Sequence, residues 1–116
     1  MAGEELPLFT FWEATVGDLF DRTAKIPKSA RFTFTARIEN QSLDVLEALV
    51  EAHYATPPRK QTLLREIDLR LAVLRVLLRL AHARRLLDPR SYEHLARRID
   101  EAGRMIGGWR RQQATR

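Results

Sequence analysis

The sequence predicts an all-α chain folded as an antiparallel, up-down four-helix bundle, and three observations carry that prediction. Apolar residues recur at three- and four-residue spacing in four separate stretches of the 116-residue chain. Pro27, Pro57, Pro58 and Pro89 fall between those stretches, where proline ends one helix or sits in the first turn of the next. No stretch alternates apolar and polar residues as a half-buried strand would. Short connections make sequence neighbours antiparallel. The length suits one domain, residues 1–116, with a modest core.

Residues 1–9 are expected to be flexible. Thr10 followed by Glu13 matches a capping box and starts helix 1, with Trp12, Val16, Leu19, Thr23 and Ile26 on one face and Phe20 beside it. Pro27 biases Ile26 out of the helical region and marks the break. Helix 2 is expected from about Ser29 to Ala55. Phe34, Ile38, Val45 and Leu49 face the core, flanked by Leu43, Leu46 and Val50, with Asn40, Asp44, Glu47 and Glu51 opposite. Thr56 serves as a cap with Pro57 or Pro58 in the following turn, and helix 3 runs from about Arg59 to Leu87. Asp88 before Pro89 gives a second cap, and helix 4 continues to about Gln112, ahead of a basic tail at 113–116.

Helix 3 has more apolar surface than one core needs. Leu63, Ile67, Leu71, Leu74, Leu78 and Ala81 form one stripe at about 100° per residue; Leu69, Val73, Val76, Leu77 and Leu80 form a second. A bundle helix usually buries one face, so the second stripe predicts a subunit interface. The plainer account makes helix 3 central, with both stripes covered inside one chain. Arg65, Asp68, Arg75, Arg79 and His82 lie between the stripes. Arg75 and Arg79 fit two roles there, salt bridges to acids of a neighbouring helix or subunit, or anion binding.

Net charge is +5, unevenly spread: residues 1–57 carry nine acids and five bases, residues 58–116 six acids and fifteen bases. A basic half suits a polyanionic partner, because clustered cations release condensed counterions, although a solvated, salt-bridged surface gives the same composition. The candidate nucleic-acid contacts are Arg59, Lys60, Arg75, Arg79, His82, Arg104, Arg110 and Arg111. Tyr54 and Tyr92 are the only tyrosines, and the phenylalanines are assigned mainly to core faces. Base stacking is therefore poorly supported, and binding to RNA or DNA is expected to be backbone-led.

The absence of cysteine suits a reducing cytoplasm. The acidic start "MAGEELPLFTFW" does not read as a secretory signal, and "LRLAVLRVLLRLA" is interrupted by Arg70, Arg75 and Arg79, so no membrane span is expected. His53, His82 and His94 fall on three different helices, without the helical His or Glu spacings that hold metals, and no Gly-rich phosphate loop follows a strand. Neither catalytic residues, nor a metal site, nor a cofactor is expected.

The stretch "IDEAGRMIGGWRRQ" places Gly103, Gly107 and Gly108 inside a helix, where each costs roughly 0.5–1 kcal/mol relative to alanine. Gly103 and Gly107 are four apart, near one edge of a face formed by Tyr92, Leu95, Ala96, Ile99, Ala102, Ile106 and Trp109. Small residues at that spacing would admit a neighbouring backbone. Gly108 lies off the face, where a glycine pair can loosen or end the helix.

Glu101, Gly103 and Arg104, followed by Gly107, Gly108 and Trp109, resemble the closing helix of the Avd-like four-helix-bundle family. That family takes in accessory variability determinant proteins of diversity-generating retroelements and proteins encoded in intervening sequences of ribosomal RNA genes. "IPKSARFTFTARIENQSLDVLEALVEA" is similar to its first turn and second helix, and the stretch from "RKQTLL" to "MIGGW" to its third and fourth. The resemblance implies a homopentameric barrel with a basic surface. It also implies a non-catalytic accessory that binds reverse transcriptase and template RNA and supports mutagenic retrohoming. An oligomeric scaffold, or a ribosomal intervening-sequence type protein, with a protein partner is the alternative.

Overall fold

The computed structural model describes residues 5–114. Four helices, α1 (Glu5–Thr23), α2 (Ala36–Tyr54), α3 (Pro57–Ala83) and α4 (Pro89–Ala114), form the expected bundle, about 47 Å long and 20–23 Å across. Each packs against its neighbours in sequence, and α1 closes the cycle on α4.

The helix boundaries depart from expectation where local chemistry overrides the punctuation. α1 begins at Glu5, so Thr10 lies exposed within it and caps nothing. The apolar face extends one turn upstream, because Leu8 stands four residues before Trp12 and is 1% exposed. Residues 5–9 are thus helical, while 1–4 of the expected flexible start lie outside the described residues. Of the expected tail, Gln113 and Ala114 belong to α4, and 115–116 are likewise outside.

Between α1 and α2 the chain makes a 3₁₀ turn at Lys28–Ala30 and then a wide π-helical turn at Arg31–Thr35, in which Ala36 N–H reaches back to Arg31 O. A regular α2 from Ser29 is therefore not formed. α3 starts at Pro57, two residues before the expected Arg59. Thr56 has extended backbone there but makes no side-chain capping bond; Pro58, in the second position, has no N–H for it to cap.

α3 ends at Ala83 rather than Leu87. Arg85 N–H bonds His82 O and Leu86 N–H bonds Ala81 O, both at 2.9 Å, and Arg85 takes a left-handed φ of 62°. This is the Schellman ending, which leaves Leu87 free to turn into the core. Asp88 caps α4 as expected, accepting bonds from Ser91 N–H at 2.9 Å and its hydroxyl at 2.8 Å. Those bonds hold the Asp88 carboxyl below its ordinary pKa.

The core runs the length of the bundle, from the buried Trp109 at the end where α4 finishes, past Trp12, Ile67, Leu74 and Ile38 in the middle, to Leu19, Leu95, Ile26 and Leu87 at the other end. Trp12 Nε1 donates to Ser42 O at 2.9 Å, tying α1 to α2. Among the described residues, no buried side-chain polar atom lacks a partner. No helix among them is long and apolar enough to cross a membrane.

Candidate nucleic-acid interface

α3 separates its two stripes as its periodicity requires. Leu63, Ile67, Leu71, Leu74, Leu78 and Ala81 are all buried. On the outward side Leu69 is 65% exposed, Val76 and Leu80 49%, and Val73 41%. Leu77 lies between, half-buried against the core. With Ala72, Val73 and Val76 it lines a shallow apolar depression of about 270 Å³. Among the described residues no other helix covers this stripe. The reading in which both stripes are intramolecular is therefore set aside.

The candidate cations fall along the seam of α3 with α4 and at its ends. One groove, of about 520 Å³, lies between Asp68, Leu71, Ala72 and Arg75 of α3 and Ile99, Asp100, Gly103 and Arg104 of α4. The next, of about 340 Å³, gathers Arg65 and Gln61 of α3 with Gly107, Arg110 and Arg111 of α4. Arg79 and His82 stand apart, toward the other end of α3.

Much of this cationic set is already partnered. Arg75 pairs with Asp100, Arg104 with Glu101, Arg110 with Asp68 at 3.0 Å, and Arg59 with Glu51 at 2.9 Å. Lys60 lies 3.8 Å from Glu5, with its ammonium 5.9 Å from the Trp109 ring centre. His82 stacks on Tyr92 with ring centres 4.7 Å apart and places Nδ1 3.5 Å from Leu87 O. Arg79 and Arg111 make no ion pair among the described residues. Exposed pairs of this kind contribute about 0–1 kcal/mol, so an arriving phosphate can displace the carboxylate at small cost.

Within one chain the two glycines do not admit a neighbouring backbone. A Cβ on Gly103 would meet nothing within 4 Å, and one on Gly107 would meet only the Arg111 guanidinium, at 3.4 Å. Among the described residues no neighbouring backbone approaches either position. Instead each opens onto one of the two grooves.

Two contacts were not legible from the sequence. Arg98 donates to Thr15 Oγ1 at 2.9 Å and Phe11 O at 3.1 Å, with its guanidinium 3.8 Å over the Phe11 ring centre. Asp18 pairs with His94 and, at 3.2 Å, with Arg22. Burial pushes the Asp18 carboxyl up, but the His94 and Arg22 contacts together outweigh it and hold it below the usual carboxylate range. Both contacts fasten α4 to α1. The one sequence signal was Thr15, polar at a position three beyond Trp12 on the buried face.

A family model described as bAvd-like matches residues 12–113. The chain belongs to the bAvd-like family. No significant match was found among curated proteins or among solved structures. In this bAvd-like protein the matched region begins at the buried Trp12 and ends in the last turn of α4, so it takes in both grooves and the whole of α3.

Proposed function

We propose that this protein is a non-catalytic accessory of a diversity-generating retroelement. It assembles through the outward stripe of α3 into a homopentamer, and binds template RNA and the reverse transcriptase to support mutagenic retrohoming. Membership of the bAvd-like family carries the reading, since it suggests a retroelement accessory role. The uncovered stripe supports assembly: Leu69, Val73, Val76 and Leu80 form one continuous apolar line that a second copy can cover. In a ring, the groove arginines and the unpaired Arg79 and Arg111 repeat once per subunit, so weak backbone contacts to RNA, or to DNA, add as avidity.

The test is a pull-down with a reverse transcriptase encoded beside its gene, together with light scattering and RNA affinity measured against salt. A pentamer whose RNA affinity falls steeply with salt supports the reading, because each phosphate contact adds to the slope. One observation favours a scaffold with a protein partner: five of the eight candidate contacts, Arg59, Lys60, Arg75, Arg104 and Arg110, already pair with carboxylates. Partner binding that survives high salt, with no RNA binding, would establish that alternative.

A further inference from the structure

Among the described residues, cations without an ion pair are concentrated at one end of the bundle, where the α1–α2 and α3–α4 turns meet. In the acidic half of the sequence every base, from Arg22 to Arg37, lies in the α1–α2 corner, and residues 22–37 contain no acid. Lys28, Arg31 and Arg37 are exposed and make no ion pair among the described residues; the same holds for Arg84, Arg85 and Arg90 at the α3–α4 turn. The two turns are side by side, because Arg22 of α1 donates to Ser91 Oγ of α4 at 3.1 Å. Of the carboxylates at this end, Asp88 is occupied by Ser91, Asp18 by Arg22 and His94, and Glu39 by Thr23.

Two further features single out this end. Phe32 is 84% exposed, the largest exposure among the exposed large apolar side chains. The π-helical turn explains it: Phe34, two residues on and nearly opposite, packs against the core, leaving Phe32 outward in the same turn as Arg31. Arg85 holds the left-handed ending of α3, where glycine is normally used and a side chain costs roughly 1 kcal/mol. A cation is thus kept where the fold alone favours its removal.

We propose that this end docks single-stranded RNA, with one base stacked on Phe32 and the flanking phosphates held by Lys28, Arg31 and Arg37 of one turn and by Arg84, Arg85 and Arg90 of the other. It rests on the nucleic-acid reading above but on different residues. An aromatic face set among unpaired cations suits a strand whose bases are free, because stacking and phosphate contact act together there. Duplex RNA presents phosphates but no open base face.

The test uses a labelled oligouridylate of about a dozen nucleotides, followed by fluorescence anisotropy at several salt concentrations with the full-length chain. Phe32→Ala is expected to weaken binding at least about fivefold with the salt slope unchanged. The Arg84→Ala/Arg90→Ala double change is expected to flatten that slope. Arg85→Gly separates binding from folding, since it should raise the melting temperature while lowering affinity. Unchanged affinity in Phe32→Ala overturns the proposal, as does displacement of the oligouridylate by polyglutamate at equal charge, which would indicate an acidic protein. If these variants bind normally while Arg79→Ala and Arg111→Ala weaken binding, the end site falls and the broader reading stands. A wild-type protein that binds no RNA defeats both.

Discussion

The two stripes of α3 are nearly the same in composition and opposite in fate. Leu71, Leu74 and Leu78 are sealed between helices, while Leu69, Val73, Val76 and Leu80, on the same helix, are 41–65% exposed. Nothing in their hydrophobicity separates them. What separates them is phase: a four-helix bundle surrounds one side of α3, and any apolar residue placed about a third of a turn away finds no neighbour. Composition therefore shows how much surface wants covering, and the geometry of one chain shows how much of it that chain can cover.

Cutting the inner stripe should have the largest effect. Leu74→Ala removes a fully buried side chain and is expected to cost about 2–5 kcal/mol, read by thermal or chemical unfolding. Val73→Ala in dilute protein should cost less than about 0.5 kcal/mol. Equal losses would erase the contrast between the stripes.

Val76→Glu places a charge in the outer stripe and should abolish assembly while changing the stability of the isolated chain by less than about 0.5 kcal/mol. Light scattering and melting on one sample check both. A wild-type monomer at micromolar concentration would break the comparison outright.

Gly103→Ala sharpens it from the groove beside α3. Because a Cβ there meets open space, alanine should stabilise the chain by roughly 0.5–1 kcal/mol through helix propensity. A loss of stability confined to assembling concentrations would show that another subunit's backbone occupies the groove.

The smallest effect concerns pH. Asp18 has a lowered folded pKa, so the stability it adds is present above its unfolded value, about 4, and is lost as pH falls through the folded one. Unfolding free energy measured across the acid range should fall less in Asp18→Asn, by about 1 kcal/mol or less given the exposure of the pair. The apolar stripe carries no such dependence.

The fold was legible because it rests on periodicity and proline. The buried faces of all four helices follow from spacing alone, and the Asp88 cap follows from a short side chain three residues before a free N–H. The α1 start was misplaced because a plausible capping pair at Thr10 and Glu13 outweighed a single leucine one turn earlier. The glycines do not admit a neighbouring helix of the same chain, because lost helix propensity says that room is needed but not what uses it. The site was harder still. Arg75 and Arg79 stand one turn apart with identical chemistry, and only the tertiary position of Asp100 pairs one and leaves the other unpaired. Summing charge by halves also hid the basic corner at 22–37, because the nine acids that outweigh its five bases all lie outside that stretch of sequence.

The wide turn at Arg31–Thr35 also constrains how the chain can vary in length. An i→i+5 bond encloses one residue more than an α-helical bond, so this turn holds a surplus residue that α2 does not repeat. Deleting one residue here would let ordinary helix run through the corner, but would rotate everything upstream by about 100° relative to Ile38, Val45 and Leu49. Phe34 would leave the core, and the Pro27 turn would be re-aimed with it. A deletion in the middle of α2 would shift its face with no slack to absorb it. The corner is thus the place where a change in length converts most directly into a change in which side chain points out.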